Sequence, residues 1–189
     1  MSAGLIRSSF PWAVAVLLVI GASQSTGRVG HDDGARAATI DVYYAPEDLP
    51  GDHLAALYAQ AKRYIYVSVY GLTYPPIVKA LVSAKRRGVD VRVITDRDRL
   101  TDPKQESALE TLHLAGIPIR VNLHDGLMHL KQVVIDDDVN ASGSMNHTRS
   151  GNQFNDERLD VIRDPHSTAK AREKFIKMWS DEKRYTAWK

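Results

Sequence analysis

From Ile40 to Trp179 the sequence switches repeatedly between two apolar periods, and proline or glycine punctuates most of the switches. Such alternation admits few architectures, because strands that alternate with amphipathic helices bury their apolar faces only as layers. In the run YIYVSVY (64–70), Ile65, Val67 and Val69 share one face, as period 2 requires of a strand. Pro75 and Pro76 then open a helix with the stripe Ile77, Leu81 and Ala84, and Gly88 stands where a left-handed cap ends it. Val89 to Thr95 is the next strand. Asp102 and Pro103 supply an N-cap and first residue for a helix through Leu109 and Leu112, closed by Gly116, and Ile117 to Asn122 is again a strand. Upstream, a short strand at Ile40 to Tyr44 precedes a helix over Asp52 to Arg63 carrying Leu54, Leu57 and Ala61. Downstream, Leu130 to Asp136 and Val139 to Ser142 form a hairpin around Asp137 and Asp138, and Arg158 to Ile162 is a final strand. Asp164 and Pro165 start a last helix, expected to bury Ala169, the stem of Arg172, Ile176 and Trp179. The fold class is therefore α/β, a mixed β-sheet sandwiched by helices.

The N-terminus departs from this pattern. Residues 10–22 (FPWAVAVLLVIGA) are almost wholly apolar, Arg7 is the one charge before them, and small residues at Gly21, Ala22 and Ser23 suit a signal peptidase. The run is short of the roughly 20 residues a bilayer crossing needs. The expected organisation is a signal peptide at 1–23, a flexible lead-in at 24–38, one domain at 39–181 and a C-terminal tail at 182–189. Export to the periplasm or beyond follows, with an uncleaved membrane anchor as the alternative. His31, Asp32 and Asp33 fall in the lead-in, where nothing orients them as a metal site. The chain has no cysteine, which removes disulfides, thiolate nucleophiles and cysteine-ligated metals from consideration. A net charge of +2 does not name a partner.

The chemistry concentrates between His129 and Asn146. His129 and Lys131 are two apart on a strand and so share a face. A fixed ammonium beside an imidazole repels a divalent cation but suits a phosphate, and the imidazole can attack phosphorus or protonate a leaving oxygen near neutral pH. Gly143 permits close backbone approach after the hairpin, while Ser144 and Asn146 offer neutral donors to the same oxygens. Asp136, seven residues after His129, faces the other side at the strand's end, so it is read as structural.

His129, Lys131, Asp136, Gly143, Ser144 and Asn146 reproduce the spacing H-x-K-x-x-x-x-D, six residues, G-S-x-N. In this the chain resembles the phospholipase D superfamily. YVSVYGLT (66–73), KRRGVDVRVITD (85–96), LAGIPIRV (114–121) and NDERL (155–159) extend the likeness to the small single-motif bacterial endonucleases of the Nuc type. The resemblance implies His129 as nucleophile or acid, forming a phosphohistidine, with Lys131 and Asn146 on the phosphate and Ser144 in support. It implies Glu157 as the carboxylate that fixes the histidine ring. It further implies a half-unit that dimerises so that two histidines meet, a metal-independent reaction without cofactor, and DNA or RNA as substrate. A phospholipid, including cardiolipin, is the alternative substrate with the same chemistry, and an idle polyanion-binding protein is the reading from a different class. One departure stands out: Arg158 occupies the position where these nucleases usually have asparagine.

Outside the motif, His147 and Arg149 follow the G-S-M-N loop closely enough to touch substrate. His113, His124 and His147 are the same-chain alternatives for a second histidine. The tract Lys85-Arg86-Arg87 complements a helix C-terminus, Asp136 to Asp138 makes an exposed turn, and Tyr64, Tyr66 and Tyr70 pack on a half-buried sheet. Asp96 to Arg99 either border the cleft or pair among themselves in solvent.

Overall fold

The computed structural model describes residues 37–189. The signal segment, most of the lead-in and the His31, Asp32, Asp33 trio lie outside the described residues. Eight strands form one mixed sheet: β1 (Thr39–Ala45), β2 (Tyr64–Val69), β3 (Asp90–Thr95), β4 (Ile119–Asn122), β5 (Lys131–Ile135), β6 (Val139–Gly143), β7 (Glu157–Arg163) and β8 (Tyr185–Ala187), in the order β1-β7-β6-β5-β2-β3-β4-β8. β2, β3 and β4 run parallel, as the helical crossovers between them require, and every other pair is antiparallel.

Helices α1 (Pro50–Gln60), α2 (Pro75–Arg86) and α3 (Pro103–Leu114) cover one face, where Leu54, Leu81 and Leu109 meet Ile65, Val67 and Val69. α5 (Pro165–Trp179) covers the other, with Phe175 stacked between Tyr66 and Trp179. β2 is buried along its whole length, so both of its faces carry core: the aliphatic row on one side, Tyr64 and Tyr66 on the other. Helix starts follow the sequence signals, with Asp102 and Asp164 accepting from the amides of Lys104 and Ser167 and a proline first in α1, α2, α3 and α5.

Four expectations need correction. The segment 182–189 is no tail, because β8 pairs antiparallel with β4 and Trp188 is buried in the core. α5 buries Thr168, Ala171, Phe175 and Met178 rather than the row one residue on; Ala169 is exposed, and Trp179 is half-buried beneath the guanidinium groups of Arg92 and Arg120. The first helix stops at Gln60, which leaves Arg63 free to reach Asp137. A 3-10 turn at Arg97–Thr101 and a one-turn helix α4 (Arg149–Gln153) stand where only loops were expected, the latter tied to α1 by Asn152 Oδ1 accepting from Gly51 N at 2.6 Å.

The acidic hairpin turn is exposed at Asp137 and Asp138, as expected, yet two of its carboxylates are tied to the start of β2. Asp136, at φ 51°, turns its carboxylate onto the amides of Lys62, Arg63 and Tyr64 at 3.0, 2.8 and 3.0 Å. Asp137 accepts from the Tyr64 hydroxyl and the Arg63 guanidinium, and these bonds hold its carboxyl below the usual range. Asp136 thus locks the β5–β6 turn to the start of β2, far along the strand from His129. Asp136→Ala should lower stability by about 2 kcal/mol, in line with loss of charge-assisted bonds to backbone donors, read as a shift of the urea midpoint. The motif geometry at the other end of β5 should survive, and an unchanged midpoint would refute the locking role.

Candidate phosphodiester site

Three chain segments converge at one end of the central strands. β2 and β5 pair so that Val69 lies opposite Lys131, and the ladder continues through Tyr70 N donating to Leu130 O at 3.0 Å. The segment after β6 joins alongside, with His147 N donating to Gly71 O and the amides of Thr73 and Tyr74 donating to His147 O. Gly143 makes this approach possible, since a Cβ there would stand 2.0 Å from the Arg158 carbonyl oxygen. These interactions bring together His129, Lys131, Ser144, Asn146 and Glu157.

His129 is exposed, with its ring 5.0 Å from that of Tyr70. Lys131 Nζ lies 3.0 Å from His129 Nε2 and 2.9 Å from the His129 carbonyl oxygen. An ammonium only donates, so its bond to Nε2 selects the tautomer with the lone pair on Nε2 and the proton on Nδ1. Lys131 is buried, with 8% of its surface exposed. Burial pulls its pKa below the usual lysine value, and the negative charge of Glu157 works in the opposite direction. Asn146 Oδ1 accepts from Gly71 N at 3.2 Å, which orients the amide so that its NH2 end is left to donate.

Ser144 and Glu157 are bound to each other, and this revises two expected roles. The Ser144 hydroxyl donates to Glu157 and accepts from Arg158 N at 3.1 Å, so its one proton is committed within the chain rather than to a ligand oxygen. Glu157 takes a second bond from Asn155 Nδ2 at 3.2 Å; the structure attaches it to Ser144 and Asn155, not to the His129 ring. Arg158, the departure from the nuclease pattern, turns outward to pair with Asp160 at 2.7 Å and lies over the Tyr44 ring.

His147 does not reach the surface. It is 1% exposed, its Nδ1 has no partner among the described residues, and burial depresses its pKa from 6.5 to about 3, so it is a neutral core residue. Arg149 is exposed and bonded to Gln153, and it lines a separate cleft with Arg99 and Lys104. His113 packs edge-on against Trp188, whereas His124 lines the same cleft as His129. Among the described residues no group of three or more His, Cys, Asp or Glu side chains is placed to hold a metal ion.

Two residues that matter to this geometry carry no motif. Asp96, fully buried, accepts from Asp98 N at 2.8 Å and from Met128 N at 2.5 Å, which fixes the backbone immediately before His129. Gln105, also fully buried, accepts from Leu72 N at 2.7 Å and donates to Thr95 Oγ1, which in turn donates to the Tyr70 carbonyl. A carboxylate at the C-terminal end of a buried parallel strand was the available sequence signal for Asp96; nothing in the sequence marks Gln105.

Comparison with known proteins identifies the family. Residues 54–179 match the family model described as "Cardiolipin synthase, PLD-like domain". The chain belongs to the phospholipase D superfamily. It is 32% identical over 121 residues to a mitochondrial cardiolipin hydrolase of Xenopus laevis, covering 64% of this chain and 57% of that protein. It is 34% identical over 125 residues to a phospholipase D of Rickettsia prowazekii, covering 66% and 58%. The chain thus spans somewhat under two thirds of these curated relatives. The crystal structure of Nuc, a phospholipase D family member from Salmonella typhimurium, superposes with a TM-score of 0.74 at 28% identity, covering 81% of this chain and 99% of that one.

The buried His147 sets an acid limit. The unfolded chain takes up its proton near pH 6.5 and the folded chain near pH 3, so stability must fall as pH drops through that window. Between pH 7 and pH 5 this one group should cost about 2 kcal/mol. His147→Leu should flatten the pH dependence of the urea midpoint by that amount; parallel profiles for the two proteins would refute it.

Proposed function

We propose that the chain is a metal-independent phosphodiesterase that hydrolyses DNA, and RNA by the same chemistry, through a phosphohistidine intermediate. The observation that carries this reading is the lysine ammonium 3.0 Å from the Nε2 of an exposed histidine. It holds Nε2 unprotonated with a positive charge beside it; an arriving phosphodiester takes the ammonium onto a non-bridging oxygen, which frees the Nε2 lone pair to attack. Lys131 and the NH2 of Asn146 draw charge from the non-bridging oxygens as His129 Nε2 attacks phosphorus, and the bond to the leaving oxygen breaks as a second imidazole delivers a proton. Water then attacks the phosphorus–nitrogen bond and gives its proton to that second imidazole, which restores His129.

The second imidazole is His129 of another copy, brought in across a two-fold axis of a homodimer. The same-chain rival is His124, favoured by its place in the cleft that holds His129. His147 is removed from this role by its burial. The likeness to Nuc favours a nuclease, whereas the cardiolipin hydrolase and phospholipase D relatives keep lipid headgroup hydrolysis as the second reading. We also hold to export of the domain from a bacterial cell, on the strength of the apolar segment at 10–22.

Plasmid DNA should be cut by the wild-type chain in excess EDTA and left intact by His129→Ala and Lys131→Met, with headgroup release from labelled cardiolipin assayed in parallel. Loss of cutting on chelation would refute the metal-free mechanism. A purified heterodimer of wild type and His129→Ala should be inactive; half of the wild-type activity per dimer would transfer the second role to His124, which His124→Ala would then abolish. Asp96→Asn, which weakens the hold on Met128 N, should lower kcat about 10- to 100-fold with little change in KM, as misplacement of a reacting group does. A fall in the urea midpoint large enough to account for the lost activity would show that Asp96 serves folding alone.

A further inference from the structure

His129 opens into a cleft of about 370 Å³ that the G-S-M-N loop does not line. Its walls bring in His124, Lys174 and Arg184, over apolar surface from Leu127 and Tyr185, and no carboxylate is among the lining residues. Neither Lys174 nor Arg184 is in an ion pair among the described residues, whereas Arg99 and Arg158 beside the motif are neutralised by Asp102 and Asp160. Among the described residues that line it, the cleft is therefore a net positive extension of the site.

Its construction depends on the C-terminal segment. The pairing of β8 with β4 is continued by Leu123 N donating to the Arg184 carbonyl at 2.7 Å, which anchors Arg184 against the loop that leads to His129. His124 meets Tyr185 edge-on at 5.5 Å and closes the wall. Arg184 and Tyr185 lie beyond residues 54–179, the extent of the family match.

We infer that Lys174 and Arg184 bind the phosphate next to the scissile one in a single-stranded nucleic acid, with its base on the apolar floor. This rests on the nucleic-acid reading above and specifies its substrate. A cleft of this volume is the size of a site for one small ligand, here one nucleotide unit. A base can enter it only if it is unpaired, and the surface that Leu127 and Tyr185 present accepts any base without hydrogen-bond readout, so the preference is for single strands of any sequence.

The test is the salt dependence of binding, measured by fluorescence anisotropy of a labelled single-stranded oligonucleotide on the full chain carrying His129→Ala, which prevents turnover. Adding Lys174→Ser and Arg184→Ser should weaken binding at least tenfold and lower the slope of log affinity against log salt by about 0.7 for each phosphate no longer neutralised. Lys174→Arg with Arg184→Lys should restore the slope, which a merely structural role would not do. An unchanged slope overturns the inference, and so does weakened binding to cardiolipin vesicles with oligonucleotide binding intact. Because the assay needs no cleavage, a wild-type chain that fails to cut DNA would refute the proposed function without touching this result.

Discussion

The pairing of Val69 with Lys131 is the constraint on which the site depends. It is the seam of the sheet, where the parallel half made of β2, β3 and β4 meets the antiparallel half made of β5, β6 and β7. Because side chains alternate along a strand, a slip of one residue at this seam would turn Lys131, and His129 with it, to the opposite face. Register is held from both ends of the pair. The Asp136 carboxylate clamps the amides of residues 62–64 at one end, and Tyr70 N bonds Leu130 O at the other. The motif aspartate therefore serves the motif lysine without being near it.

Beneath the site the core is unusually polar for its depth. Asp96, Thr95, Gln105, Asn122 and Lys131 are all buried, and each is bonded to backbone or to another polar group. Such groups are costly to bury singly but rigid when satisfied. Here they help fix Tyr70–Leu72 and the stretch before His129, beyond the ends of the strands. His147 is the exception: its Nδ1 has no partner among the described residues, and the cost is a neutral imidazole that cannot charge until strongly acidic pH.

The order of strands and helices was legible because each helix carries its own start signal, as Asp102-Pro103 and Asp164-Pro165 show, and because β2 alternates strictly. The face of α5 was misread by one residue. Both rows of that helix hold apolar side chains, and only the aromatic surface of Tyr64 and Tyr66 beneath it selects Phe175 over Trp179 for burial. β8 could not be read at all, since three residues carry no period and become a strand only by pairing with the open edge of β4.

What the sequence determined by itself is the set of groups at the phosphate: His129 and Lys131 share a face by strand alternation, and Asn146 follows the hairpin at fixed spacing, all of it local in the chain. The partners of those groups were decided by tertiary structure. Ser144 with Glu157, Asn146 with Gly71, Asp96 with Met128 and Arg184 beside His124 are meetings of segments distant in sequence, and proximity along the chain says nothing about them. His147 makes the same point in reverse. One residue after Asn146, it stands by sequence at the site, yet its backbone bonds to Gly71, Thr73 and Tyr74 draw the strand end inward and bury the ring in the core.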